Sequence, residues 1–475
     1  MIAKPLKALG ERSAAVSTRI IPDPWVLVIL LTVTAVGAAL AAGASPAETM
    51  NAWNNGVWDL LTFMAQISIT LIAGDAIAKS RLATNLFQRI AEIPSTQFTA
   101  VYIVCIVSLI AGLISWAIGL IVGAVMARQV AYRAHKRGIK LHYPLLVAAG
   151  YTALMIWHMG ITTSSGLMMT DPAAIPDTFP EYAQDGIPLV ETIGSTVNIV
   201  TAGALLVLLP PIMALLHPKS DDDIRQLPDS VIDELDAKVS NGETAEGEDV
   251  ATDGGEYEGE KDYLADKLNR MRIFGVIIAI FPAYYFINSI LQGGIMGFTL
   301  NAINAMFLTF AILLWLHPLK LVEQMNESIR NVAGIILQFP FYAGIAGLLV
   351  GTPLGNLVSQ FFVDISTPLT WPIFGLISTG LVNIFVPSGG GQWVAQGPIL
   401  LETTNQLGMP LYVAVILESF GDGLTNMIQP FWALPALALA DLRARDMLGY
   451  TFIAMLAGFV VMATTLTLFV GLVYS

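Results

Sequence analysis

Uninterrupted apolar runs dominate the chain, and most are close to 20 residues long, the length that carries an α-helix across the hydrocarbon core of a bilayer. They lie at about 24–43, 55–78, 143–170, 189–216, 272–292, 297–317, 331–351, 408–440 and 447–473. Two further stretches, 97–134 and 368–404, are too long for one crossing and short for two with a turn. Small residues interrupt each at its middle, Ser115-Trp116-Ala117-Ile118-Gly119 in one and Pro387-Ser388-Gly389-Gly390-Gly391 in the other. Re-entrant helical hairpins account for both the length and the break. The pattern predicts an all-α polytopic membrane protein with nine crossings and two such hairpins.

The basic residues test that count. With nine crossings and two hairpins, all 23 Lys and Arg fall on one face, and the opposite loops (44–54, 171–188, 352–367, 402–407) hold none. The positive-inside rule then makes the amino terminus cytoplasmic and the carboxyl terminus external. The first apolar run begins only at Pro24, spans a full crossing and lacks an A-x-A-like cleavage site, so it reads as a retained helix preceded by a cytoplasmic segment, 1–23.

Composition sharpens this. Of 475 residues, 55% are apolar and 12% charged, which nearly excludes a soluble enzyme. A single cysteine, Cys105, and five histidines without an H-x-x-x-H spacing leave no disulfide framework, cofactor or certain metal site. No nucleic-acid partner is expected. The net charge of −13 is concentrated in residues 217–271, which carry 17 acids against 6 bases and leave the remainder at −2. That stretch reads as a solvated, disordered cytoplasmic linker, a spacer between two membrane halves.

The halves, 24–216 and 297–475, are weakly alike. Phe63 to Gln66 matches Ile335 to Gln338, Asn85-Leu86 matches Asn356-Leu357, and Gly119 matches Gly391. Further on, Tyr143-Pro144-Leu145 matches Met409-Pro410-Leu411, and Gly160-Ile161-Thr162 matches Gly423-Leu424-Thr425. With the first hairpin entering from inside and the second from outside, the repeats are inverted, and the connecting helix 272–296 resets the topology. Such transporters bind substrate at the midplane between repeats, where backbone leaves the helix.

Four places invite that irregularity: the two hairpin tips, the run Gly160 to Gly166 in 143–170, and Gly421 to Asn426 in 408–440, with Pro430 ending the helix beyond. No Lys or Arg occupies a span interior, so a substrate carboxylate would rest on helix amino termini, hydroxyls and amides. The candidate donors are Ser115, Gly119, Thr162, Thr163, Ser164, Ser165, Ser388, Gly389, Gly390, Gly391, Gln392, Thr425 and Asn426, with Trp116 and Trp393 beside the tips to wall an apolar tail. Ionisable residues within spans are functional by default. Glu418 and Asp422 stand one helical turn apart and could take a proton, and His158 lies at the corresponding level of the other half. Sodium would instead use oxygens around Thr162, Ser165, Thr425 and Asn426. Asp75, within a turn of Lys79, reads as half of a surface ion pair.

Three segments are more specific. Gln338-Phe339-Pro340-Phe341-Tyr342-Ala343-Gly344-Ile345, the run Val386 to Pro398, and the run Asn426 to Pro435 resemble the bacterial short-chain fatty acid transporter family. Pro22-Asp23-Pro24, Trp116 to Ala124 and Tyr143 to Leu146 are similar to it as well. The resemblance covers all but the acidic linker. It implies uptake of short monocarboxylates such as acetoacetate or butyrate, and membership of the broader ion-transporter superfamily, whose members are typically dimers with an elevator-like motion. A different small organic anion is the alternative within that superfamily. Where the first broken span has Trp157-His158-Met159, the family tends to be richer in glycine. A rival of another class, an intramembrane aspartyl protease, would pair Asp75 with Asp422, but Ser419 stands where its G-x-G-D motif needs glycine.

Overall fold

The computed structural model describes residues 24–58, 61–240, 263–429, 432–433, 436–437 and 440–475. Segment 1–23, most of the acidic core of the linker and Pro430 therefore lie outside the described residues.

Every described element is a helix. Among the described residues, seven helices are long and apolar enough to cross a membrane, or up to eight if the bent pair Ile335–Gly351 and Pro353–Ile365, which meet at 78°, is one span. The expected crossings all coincide with helices, although several are shorter or bent. Two stretches expected as loops are helices. Pro46–Val57 begins on a capping box between Ser45 and Glu48, and Pro353–Ile365 is capped by the Thr352 hydroxyl. Their Pro at the first turn and capping residue are local signals that outweigh the loop reading.

The same element order runs through both halves. Helices 24–41, 46–57, 61–78 and 81–90 precede the pair 97–114 and 116–136, the broken helix 143–168 and the helix 196–215. In the second half 300–314, 318–328, 333–351 and 353–365 precede the pair 371–385 and 389–406, the helix 412–425 and the helix 444–466. Packing is exchanged between halves: Leu61–Ala78 lies on Leu300–Leu314 and Pro318–Ser328, while Ala333–Gly351 lies on Pro24–Ala41 and Pro46–Val57.

The expected hairpins are two helices each, broken at Ser115 and at 386–388. The first pair, Gln97–Ile114 and Trp116–Lys136, has 18 and 21 residues. At 1.5 Å per residue these would be about 27 and 31 Å long, enough for each to cross by length. The second pair, Trp371–Phe385 and Gly389–Gln406, has 15 and 18.

The linker departs from its reading as wholly disordered. Residues 229–240 form a helix, and Leu227, Val231, Ile232 and Leu235 are buried against the bundle. Lys136 pairs with Asp236 at 2.8 Å, Lys140 with Asp221 at 2.6 Å and Arg225 with Asp446 at 2.8 Å. Arg133 reaches Glu92 at 3.4 Å, and Lys79 reaches Glu327 at 2.9 Å. Acidic composition masked an apolar stripe at helical spacing.

Candidate functional site

Within 143–168 the helix is interrupted at Thr152, tightens to a 3-10 turn at Trp157–Met159, opens at 160–163 and resumes as a short helix, Ser164–Met168. Its freed groups meet another break. The Ile161 amide donates to Leu113 O at 3.0 Å, and the Thr162 hydroxyl donates to Ile114 O at 3.0 Å. Those carbonyls end the helix Gln97–Ile114 and have no acceptor role left within it. Each break satisfies the other, which is how irregular backbone survives in an apolar interior.

The second half repeats the device. The amide of Asn383, near the end of Trp371–Phe385, donates to Asp422 O at 2.9 Å, Thr425 Oγ1 at 3.0 Å and Asn426 Oδ1 at 3.1 Å. Gln429 donates back to Asn383 O at 2.7 Å. Here the sequence reading needs correction. Tyr412–Thr425 is helical throughout, and unwinding starts only at Asn426–Ile428. Gly421 and Gly423 admit close neighbours instead: a Cβ on Gly423 would stand 2.4 Å from Met155 O. Close helix packing, the alternative use of glycine, wins there.

Between these breaks and the arms Leu61–Ala78 and Ala333–Gly351 lies a cavity, part of it open to the surroundings. Its polar end is Ser164, Ser388, Gly389, Gly390, Asp422 and Asn426, and its apolar walls are Ile67, Leu71, Trp116, Leu154, Trp157, Ile335, Phe339 and Trp432. Trp116 and Trp432 meet edge to face at 5.2 Å. Gly389 and Gly390 open the helix Gly389–Gln406, whose N-cap Ser388 accepts from the Gly391 amide at 3.3 Å. First-turn amides have no carbonyl to reach within the helix, so this end offers donors and a positive dipole to an anion.

Directly behind the cavity sits a buried cluster. His158 Nε2 is 3.3 Å from Asp422 Oδ2, and His158 Nδ1 is 4.0 Å from Glu418 Oε2. One ligating atom from each of the three lies within 4.8 Å of the others. Asn426 donates to Asp422 Oδ2 at 2.9 Å, and Thr163 Oγ1 is 3.3 Å from His158 Nδ1. No hydrogen bond of good geometry reaches the Glu418 oxygens, Asp422 Oδ1 or His158 Nε2, although the Ser165 and Trp157 side chains lie beside Glu418 and Asp422. A Cβ on Gly389 would stand 2.0 Å from His158 Nε2, so the imidazole is pressed against the backbone of the second tip.

Of the expected site residues, Trp116, Ser164, Ser388, Gly389, Gly390 and Asn426 line the cavity, as does Asp422. His158, Thr163 and Glu418 stand one layer behind, and Ser165 bonds Ser419 at 3.1 Å. The others serve packing or internal bonds. Ser115 is fully buried, Gly119 abuts Ala153, Gly391 abuts Tyr342, and Gln392 donates to Thr379 O at 2.8 Å. Thr425 donates to Gly421 O at 3.0 Å. Trp393, expected to wall the substrate, is fully buried 5.6 Å from Phe179. Of the four residues expected to hold sodium, Thr162 donates to Ile114 O, Ser165 bonds Ser419, Thr425 donates to Gly421 O, and the Asn426 side-chain oxygen accepts from Asn383. Sequence reasoning assigned no role to Trp157, Phe339, Trp432 and Asn383, although Phe339 and Trp432 fall within the two motif segments that flank the tip. Asp75 pairs with Lys79 at 3.1 Å and accepts from Ser328, but it is buried rather than on the surface as expected, because the helix bearing Ser328 covers it.

The comparisons agree with this architecture. A family model described as short chain fatty acid transporter matches residues 5–469. An Escherichia coli (strain K12) protein named as a candidate short-chain fatty acid transporter is 33% identical over 453 residues, 95% of this chain and 97% of the relative. A Haemophilus influenzae (strain ATCC 51907 / DSM 11121 / KW20 / Rd) protein of the same name is 31% identical, covering 92% and 94%. The crystal structure of the Alcanivorax borkumensis YdaH transporter, whose topology is described as unusual, superimposes with a TM-score of 0.56 at 13% identity over 94% of this chain and 97% of that one. Neisseria gonorrhoeae MtrF, described within a class of antimetabolite efflux pumps, gives 0.51 at 14% identity over 97% of each. At such identities the two structures speak for fold alone. Matched from residue 5 to residue 469, and multi-pass in its helices, this chain belongs to the short-chain fatty acid transporter family.

Proposed function

We propose that the protein takes up short monocarboxylates of the acetoacetate or butyrate class across the bacterial cytoplasmic membrane, by alternating access and together with a cation, H⁺ or Na⁺. The carrying observation is the cavity itself, which joins one anion-accepting helix end at Ser388–Gly390 to walls of Trp116, Trp157, Phe339 and Trp432. One carboxylate and a short apolar tail fit that division. No Lys or Arg lines the cavity among the described residues, which disfavours a second substrate charge and another class of organic anion. A bare anion entering against 100 mV, inside negative, is opposed by about 2.3 kcal/mol, hence the accompanying cation.

The matched element order and exchanged packing of the halves support inverted repeats, with the two helix pairs as re-entrant hairpins carried in an elevator-like motion. The amino terminus is cytoplasmic and the carboxyl terminus external in this reading, and the working unit is a homodimer. Counterflow in proteoliposomes tests the substrate class. Saturable exchange should peak within the C2 to C8 monocarboxylates and ignore dicarboxylates; equal exchange of both, or none, would overturn it.

A further inference from the structure

Two arguments narrow the accompanying ion, and both start from the substrate reading given above. Charge is the first. A carboxylate docked at Ser388–Gly390 would share the cavity with Asp422, with Glu418 behind it and no Lys or Arg on the lining. Anions this close, shielded from water, require a cation between them.

Donor type is the second. The unpartnered atoms at this point are carboxylate oxygens and an imidazole nitrogen. Alkali ions favour an all-oxygen shell, whereas here an imidazole stands between the two carboxylates, its Nε2 3.3 Å from Asp422 Oδ2 and its Nδ1 4.0 Å from Glu418 Oε2. An imidazole between two carboxylates is suited to a proton, which one ring nitrogen accepts while the other donates. We infer that the co-transported ion is a proton taken up from the cavity by Asp422 and shared through His158 with Glu418. No bond other than O–H and N–H forms or breaks: one proton leaves solution as one monocarboxylate docks, and one returns as it departs.

Other titratable groups nearby do not compete for this role. Tyr151 lies against Asn426 O at 2.9 Å and Gln429 O at 3.2 Å, and Cys105 is paired with Thr152 at 3.4 Å. Tyr412 begins the helix Tyr412–Thr425, more than one turn before Glu418, and Tyr102 lies in the first half of Gln97–Ile114. The trapped position of the imidazole, between Asp422 and the backbone of Gly389, ties proton occupancy to the seating of the second tip.

The test uses the full chain in lipid nanodiscs, with butyrate as the probe and affinity measured calorimetrically across pH. One linked proton predicts that affinity falls about tenfold per pH unit on the alkaline side, with about one proton taken up per butyrate in buffers of different ionisation heat. Replacing Na⁺ by choline or adding a chelator should change neither. Asp422→Asn should bind with a flat pH profile and no proton uptake, and Glu418→Gln and His158→Gln should reduce the slope. A flat wild-type profile with Na⁺-dependent affinity, loss of binding on chelation, or an unchanged slope in Asp422→Asn would overturn the inference. Absence of butyrate binding in well-folded protein would count against the substrate reading instead. A substrate-free arm then decides the ion: infrared difference spectra between about pH 5 and about pH 9 should show a protonated-carboxyl band that Asp422→Asn or Glu418→Gln removes, and a spectrum without that band overturns the proton site.

Discussion

Adding one methyl group at Gly389 should damage transport more than adding it at Gly390, although the two glycines are neighbours on one tip. A Cβ on Gly389 would meet His158 Nε2 at 2.0 Å and Cε1 at 2.5 Å, where ordinary contact begins at 3.4 Å. The imidazole must therefore retreat by about 1.4 Å, yet it is 1% exposed and held between Asp422, Glu418 and Thr163. Overpacking of this kind costs about 1–3 kcal/mol. At Gly390 the nearest atoms are ring edges of Phe339 at 3.0 and 3.1 Å and of Phe63 at 3.2 Å, which need give only a few tenths of an ångström. If the Gly389→Ala strain falls on the bound state, monocarboxylate affinity drops about 5- to 140-fold, at 1.4 kcal/mol per tenfold. Gly390→Ala should stay within about threefold by the same arithmetic. Counterflow at varied substrate concentration, with thermal unfolding in detergent as a folding control, gives both numbers. Wild-type kinetics in Gly389→Ala, or a larger loss in Gly390→Ala, would refute the placement of His158 against the tip.

Trp116→Ala and Trp432→Ala should move preference toward longer chains, by about tenfold in relative exchange for each methylene newly accommodated, read from a competition panel. Replacing 241–262 by a short Gly/Ser linker should leave uptake unchanged, whereas Leu235→Ala, at a fully buried position, should cost about 2–5 kcal/mol and loosen the helix 229–240 in hydrogen exchange. The Lys136 ammonium, and then the Tyr132 hydroxyl, hold the Asp236 carboxyl below its usual range. A depressed carboxyl stabilises the docked helix above its unfolded titration and loses that contribution as pH falls through its folded value. Protection of 229–240, corrected for the intrinsic exchange rate, should therefore be flat between about pH 5 and 8 and fall only below about pH 4.

The sequence made the membrane architecture legible because lipid leaves few choices: apolar length marks crossings, and small-residue breaks mark irregular backbone. The breaks at Ser115, 160–163 and Ser388 were visible that way, and Glu418, Asp422 and His158 stood out as charges or rings without a surface. Glycine was ambiguous. At Gly389 it accommodates an imidazole beside a tip, while at Gly421 and Gly423 it lets helices touch, and spacing alone does not separate these uses. Tryptophan was ambiguous too: Trp116 faces the cavity and Trp393 is packed away, a distinction set by which side of each helix turns inward. The stripe Leu227, Val231, Ile232 and Leu235 was hidden by the acids between its members. The approach of His158 to Asp422 was not legible at all, since 264 residues separate them and only the folding of one half against the other brings them together.

The central claim is that a monocarboxylate sits in this cavity with its carboxylate on the amides of Gly389 and Gly390. A cryo-electron microscopy map of the full chain in nanodiscs with saturating butyrate tests it most directly. The account predicts density between Trp116, Phe339 and Trp432 whose polar end lies within hydrogen-bond distance, about 2.7–3.2 Å, of those amides. Butyrate density elsewhere in the molecule, with this cavity holding only water, would contradict it.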